Sequence, residues 1–366
     1  MRVVSALDSF KESIPAAAAV DAVAAGWRDV DAAATVAVRP MADGGEGTLD
    51  AFATLDGAVR RTVTVTGPHA GSVAASWVLL PSRTGVVELA STSGIELLGH
   101  ARMPWDADTT GFGETIGAAL DAGVHRLVLG IGSSASTDGG IGMLAALGAR
   151  LVDVSGRPVS RGARGLEQVA SVDLSGLREL PRGGVRVLTD VTNPLIGPRG
   201  AAAVFGPQKG VRPADVSRLD AALAAYAAVV GGDPAAHGAG AAGGTGFALR
   251  AWGAELVSGA GEVAALVGLP DAIAAADLVV TGEGAFDASS VQGKAAGAVA
   301  ALAAAAGIPV ALVAGRVDAG ADVSAFTEVV SLSALAGSAA AALAQPARWL
   351  RAAGVQLARG ARRLTP

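Results

Sequence analysis

Cysteine is absent from this 366-residue chain. That excludes disulfides, thiolate zinc centres and cysteine nucleophiles together. Aromatic residues are only 4%, and five Trp and one Tyr spread over helices and loops read as packing anchors, not a base-stacking platform. The His residues, His69, His100, His125 and His237, show no metal-ligand spacing, so a zinc site is not expected. No G-x-S-x-G elbow follows a strand, which removes the Ser-His-Asp reading. Charged residues make up 17% and the net charge is −5; this argues against a nucleic-acid or anionic-membrane partner. Ala295 to Gly315 carries no charge and approaches the length of a membrane span, but Gly307 and Pro309 divide it into a helix (about 295–306) and a buried strand, Val310–Ala314. The opening MRVVSALDSFKES lacks a secretory h-region, so a cytoplasmic location is expected. Hydrophobic residues, at 51%, supply ample core and exclude disorder as the main state.

Lysine is the most telling scarcity. Of 28 basic residues only Lys11, Lys209 and Lys294 are lysines. Each lies in a Gly-, Ser- or Pro-containing segment: DSFKES, GPQKG and SSVQGK. A compact ammonium is not interchangeable with a planar guanidinium, so these three are expected to serve chemistry.

Short apolar runs alternate with Ala-rich helical stretches. Strands are expected at Val3–Leu7, Ala34–Val38 and Val59–Thr66, and helices at Ala16–Trp27 and Gly47–Leu55. Such alternation builds a parallel sheet covered by helices. The middle differs, with a hairpin expected from Val73–Leu80 and Gly85–Ala90 across Pro81-Ser82-Arg83-Thr84. Strands follow at Arg126–Gly130 and Val185–Thr189, then a long helix at Pro213–Val230. The end returns to the first style, with strands at Asp277–Thr281, Val310–Ala314 and Val329–Leu332. The reading is therefore α/β with two domains: a Rossmann/flavodoxin-like parallel-sheet domain built from both termini (1–66 and 275–366), and a second α/β domain inserted at 67–274. At roughly 100–200 residues per domain the length agrees. The sequence allows a homo-oligomer.

Ligands of open α/β sheets bind beyond the carboxyl ends of the strands. Asp8 follows VVSAL, Asp43 follows VAVRPMA, Asp190 follows VRVLT and Glu283 follows LVVTG. Four converging carboxylates repel unless lysines or a metal neutralise them. Hard oxygen donors suit Mg²⁺, normally held by one or two carboxylates plus substrate phosphates.

The segment LVLGIGSSASTDGG (127–140) runs from a strand through Gly130, Gly132 and four hydroxyl residues into a helix. Such a turn can aim backbone N–H groups at an anion. Gly130-x-Gly132-x-x-Ala135 with Asp153 also approaches a dinucleotide fingerprint, although Ser136-Thr137-Asp138-Gly139-Gly140 occupies the place where that helix should pack. Gly238-Ala-Gly240-Ala-Ala-Gly243 follows no strand, and its composition suits a phosphate-cradling or hinge loop. No Walker-type sequence precedes Lys294.

Together, DSFKES (8–13), PMADGGEGT (40–48), GIGSSASTDGGIGMLAALGA (130–149), TDVTNPLIGPRGAAAVFGPQKG (189–210), GAGAAGGTGFAL (238–249) and TGEGAFDASSVQGKAAGAVA (281–300) resemble the glycerate kinases of the bacterial glyoxylate and glucarate pathways. They occur in that family's order and span nearly the whole chain. The resemblance implies two α/β domains, one inserted, with the site in the cleft between them, and transfer of the γ-phosphoryl of ATP to D-glycerate with Mg²⁺, usually at the 2-hydroxyl. Phosphoryl transfer asks for positioning and charge stabilisation. On that basis the catalytic set is Asp43, Lys11, Asp190 and Lys294. Asp43 accepts the hydroxyl proton; Lys11 and Lys294 neutralise phosphates. Asp190, Glu283 and Asp287 are the candidate metal ligands. Substrate and phosphate contacts are expected from Asp8, Ser9, Ser13, Gly44, Gly45 and Glu46, from Gly132, Ser133, Ser134, Ser136 and Asp138, and from Asn193, Arg199 and Lys209. Four positions depart from the family pattern: Ser133 stands for Gly, Thr137 for Asn, Ala285 for Arg and Ser289 for Gln. The alternatives are a nicotinamide-dependent oxidoreductase of a small hydroxy acid and a non-catalytic hydroxy-acid sensor.

Overall fold

Near-continuous apolar runs, buried on both faces, form the central strands of a parallel sheet. VVSAL, LVVTG and VALVA behave in this way, and each is almost wholly enclosed. The computed structural model describes residues 1–362 apart from Glu12, Ser289 and 291–293. In chain order the strands are β1 (Arg2–Leu7), β2 (Thr35–Val38), β3 (Val59–Thr66), β4 (Ser72–Leu79), β5 (Thr84–Glu88), β6 (Arg126–Gly130) and β7 (Arg150–Val152). They continue as β8 (Ser171–Asp173), β9 (Val185–Leu188), β10 (Glu255–Val257), β11 (Leu278–Phe286), β12 (Val310–Val317) and β13 (Glu328–Ser331).

The first sheet has the order β13-β12-β11-β1-β2, all parallel. Numbered within the sheet this is 2-1-3-4-5, the flavodoxin-like order. The second sheet has the order β10-β9-β6-β5-β4-β3. Its strands from β10 to β5 are parallel, and β4 and β3 add an antiparallel edge. β7 and β8 form a separate antiparallel pair.

The chain divides into two compact α/β units: 1–43, 50–56 and 258–366, and 44–49 with 57–257. The sequence reading set the limits at 66 and 275. β3 lies in the second unit because all eight of its residues pair with β4. The helices Gly259–Leu266 and Leu269–Ala274 belong to the first. Within the first unit the helices Ala16–Val30 and Pro346–Arg362 pack closely; a Cβ on Gly26 would stand 1.9 Å from the Arg351 carbonyl oxygen. The second unit's core gathers Phe112, Leu127, Leu129, Val187 and Tyr226. No helix of the described residues is long and apolar enough to cross a membrane.

Candidate functional site

In the first sheet the chain proceeds from β1 to β2 on one side, and β11 flanks β1 on the other. The crevice between β1 and β11 is therefore the topological switch point, where such sheets place ligands. Asp8 directly follows β1, and Glu283 lies in the last part of β11. The Asp8 N–H donates to the Gly282 carbonyl at 2.9 Å, which ties the two strand ends together. A cavity of about 350 Å³ opens there, within the first unit. One end holds Asp8, Lys11, Asp43, Glu283, Asp287 and Lys294. Beyond β13 the lining is mostly apolar, with Leu332, Ala342, Leu343 and Pro346 beside Ser333, and Arg316 of β12 lines it too. Ser9 and Ser13 line it as well.

The carboxylates crowd one another. Burial, then the neighbouring Asp43 and Glu283 charges, push the Asp8 carboxyl up to about 8, against the pull of the Ser9 N–H and Lys11. The Ser9 N–H donates to Asp8 Oδ1 at 2.6 Å. Burial raises the Glu283 carboxyl as well, opposed by Ser290 and Lys294. Glu283 Oε1 is buried with no hydrogen-bond partner among the described residues. Lys294 Nζ lies 3.6 Å from Asp287 Oδ1, and Lys294 directly precedes the helix Ala295–Ala306 without a side-chain capping bond. An orphaned carboxylate oxygen beside further hard oxygen donors fits a divalent cation. Among the described residues no three His, Asp or Glu side chains form a ready-made metal group.

Asp43 ends one segment of the first unit, and Gly44 begins the second. The Asp43 carbonyl is held against Gly259, where a Cβ would approach it to 1.9 Å. Gly44 has φ of 95°, and a Cβ there would stand 2.5 Å from the Leu188 carbonyl oxygen. Gly132 donates its N–H to the Gly44 carbonyl at 3.0 Å and packs on Gly45, whose Cα a Cβ would meet at 2.5 Å. The glycines of ADGGEGT and GIGSS thus lock two loops of the second unit backbone to backbone. Glu46 is exposed beside them.

The expected anion loop is only partly available to a ligand. Ser136 and Asp138 are fully buried. Asp138 Oδ2 accepts from the Thr109 N–H and hydroxyl at 2.9 and 2.8 Å, and Oδ1 accepts from Gly140 N–H and Ser136 Oγ at 3.1 Å each. Its carboxylate is spent in holding the loop and the helix start behind it. Lys209 is likewise corrected from a substrate cation to an interior group. It is 2% exposed, and its Nζ donates to Ser134 Oγ at 2.6 Å and the Ser136 carbonyl at 2.5 Å. Burial lowers its ammonium to about 7, opposed by Asp138. Ser133 takes φ of 59°, the left-handed conformation in which a glycine carries no Cβ penalty. Thr137 is buried, and its hydroxyl lacks a partner among the described residues.

The loop 238–246 is packed backbone to backbone within the second unit. Gly243 accepts from the Gly139 N–H and Gly240 donates to the Asn193 carbonyl, each at 3.0 Å. A Cβ on Gly240 or Gly243 would stand 2.1 or 2.2 Å from a carbonyl oxygen, so this loop knits the 130s and 190s segments together. Asp153 also leaves the dinucleotide reading unsupported: it accepts from the Ser155 and Arg157 N–H groups and pairs with the Arg157 side chain. Asp190 and Arg199 are exposed, beyond the end of β9, and Asn193 Nδ2 donates to the Arg199 carbonyl at 2.8 Å. Ala285 lines the cavity; Ser289 lies outside the described residues. The sequence reading missed the apolar wall from Leu332 to Pro346 and Arg316 at its edge. Ala-rich helices carry no motif, and only their place after strands β12 and β13 marks them. Thr109 was missed too, because its role depends on Asp138 29 residues away.

The glycerate kinase family model matches residues 3–362. Glycerate 2-kinase of Escherichia coli K12 is 42% identical over 305 residues, 80% of each chain. Glycerate kinase of Bacillus subtilis 168 is 42% identical over 327 residues, 87% of this chain and 85% of that one. A crystal structure described as glycerate kinase 2 of Salmonella typhimurium LT2 superposes with a TM-score of 0.87 at 38% identity, over 99% of this chain and 98% of its own.

Proposed function

Because the chain belongs to the glycerate kinase family, we propose that it transfers the γ-phosphoryl group of ATP to the 2-hydroxyl of D-glycerate, giving 2-phospho-D-glycerate and ADP. The observation that carries this reading is the cavity at the β1/β11 switch point, where Lys11 and Lys294 stand among Asp8, Asp43, Glu283 and Asp287. Asp43 takes the proton from the glycerate hydroxyl as its oxygen bonds to the γ-phosphorus, and the bond from that phosphorus to the ADP oxygen breaks. A base so placed contributes typically about 10²–10⁴-fold. Lys11 and Lys294 hold the phosphates and offset the charge spreading onto the transferring group, with Ser9 and Ser13 donating hydrogen bonds beside them. The amides opening the helix Ala295–Ala306 favour the same anionic group. Glu283 and Asp287 would hold Mg²⁺. When bound, that ion supplies positive charge to the phosphate oxygens. Arg199 is the proposed partner of the glycerate carboxylate, a role Lys209 cannot fill from the interior.

The test is ³¹P NMR of the protein with ATP, Mg²⁺ and D-glycerate. A new phosphomonoester resonance assigned to the 2-position is expected. A 3-phosphate product would correct the regiochemistry. No glycerate-dependent loss of ATP would overturn the reading.

A further inference from the structure

We infer that the apolar end of the β1/β11 cavity, walled by Leu332, Ala342, Leu343 and Pro346, seats the base of the nucleotide, so that the first unit alone carries the ATP site. The inference rests on the kinase reading and extends it to the choice of unit and wall.

The cavity is one continuous space with two chemically different ends. The ammonium and carboxylate groups gather about β1 and β11, whereas Leu332, Ala342, Leu343 and Pro346 lie beyond β13, with Ser333 and Arg316 the polar groups beside them. A three-carbon hydroxy acid carries oxygen on every carbon and has no apolar face to bury. It is also much smaller than a space of about 350 Å³, which falls within the usual range of roughly 300–1,000 Å³ for larger ligands. A nucleoside triphosphate matches both ends: a flat ring gains from leaving water, and its phosphates lie at the charged end. The wall is built for this. Leu332 and Ala342 are buried in its floor. Ser331 caps the helix Leu332–Ala336 and Ser338 caps Ala339–Ala344, each accepting from a backbone N–H. Trp349 Nε1 donates to the Ala341 carbonyl at 3.1 Å, and Ser333 Oγ to the Gly315 carbonyl at 2.7 Å. The floor is thereby fixed to the end of β12. Leu343, by contrast, is a large apolar side chain that the described residues leave 60% exposed. An aromatic ring lying in the cavity would cover it.

The test is Leu343→Glu, at a position exposed enough to accept a charge. The expected result is a rise of about tenfold or more in the ADP dissociation constant, measured calorimetrically with Mg²⁺ and without glycerate, and in the ATP KM, with the D-glycerate KM within about twofold of wild type. Unchanged nucleotide constants would overturn the inference, as would a rise confined to the glycerate KM. Photolabelling the wild type with 8-azido-ATP needs no variant: label on peptides covering 332–346 is expected, and label confined to 57–257 would refute the assignment. Should the wild type bind ADP and take label on this wall but phosphorylate no glycerate, the acceptor reading fails and the base site stands.

Discussion

Lys209→Met tests whether an interior lysine can be neutral near physiological pH. Its amine lies inside the second unit, bonded to Ser134 Oγ and the Ser136 carbonyl, and a neutral amine can still donate both bonds. Burial lowers its pKa to about 7 despite Asp138, against about 10.4 in the unfolded chain. Between those values the unfolded state binds more protons than the folded one, so this group makes stability rise with pH. The cost is fully present below about pH 7 and is relieved as pH climbs towards 10.4. One pH unit corresponds to at most about 1.4 kcal/mol. From about pH 6.5 to 8.5, with half-titration of the folded state near 7, the expected gain is about 2 kcal/mol. Met lacks this dependence, so its advantage over wild type should shrink by that amount across the interval. Any further rise in the Asp138 pKa once its cationic neighbour is gone acts in the same direction. Hydrogen-exchange mass spectrometry of β6 and β9 peptides, corrected for intrinsic rates, reads the opening free energy of this unit. Parallel pH profiles for the two proteins would show that the ammonium stays charged and would refute the reasoning.

Three further outcomes are expected. Asp43→Asn should lower kcat by about 10²–10⁴-fold while both KM values stay within a few-fold; near-normal turnover would remove Asp43 as the base. Gly44→Ala must fit a Cβ at φ of 95° against the Leu188 carbonyl, and thermal unfolding should show a loss of about 1–3 kcal/mol, with activity falling alongside it; a wild-type melting curve would show that the loops yield. Asp8→Asn should stabilise the ligand-free protein at about pH 8. A carboxyl raised to about 8 contributes stability that is present below its unfolded value near 4 and lost as pH rises through 8. Removing the charge should return about 1–2 kcal/mol with loss of activity, and equal melting temperatures at this pH would contradict the crowding of carboxylates.

The sequence was most legible where local chemistry decides local structure. Apolar runs became β1, β11 and β12, and the strand-end rule placed Asp8 directly after β1. Glu283, expected just beyond a strand ending at Thr281, lies inside β11, which runs on to Phe286. It still lines the switch-point cavity, because the direction of a parallel strand fixes which end its last side chains occupy. It was least legible where an outcome depends on distant packing. β3 follows a helix of the first style yet pairs with β4, and only the partner strand decides its sheet. The lysines show the limit most sharply. All three sit in Gly-, Ser- or Pro-containing segments, and rarity singled out each as a group kept for chemistry. Lys11 and Lys294 line the cavity, whereas Lys209 lies behind the second unit's loop, donating to it. Residue type set the chemistry available to each ammonium, but solvent access set its use. That access was decided for Lys209 by Ser134 and Ser136, more than seventy positions away. A Gly-rich loop reads the same in sequence whether its backbone faces a phosphate or another backbone. The loop 238–246 turned out to be the second kind, and the carbonyl oxygens facing Gly240 and Gly243 are what distinguish the two.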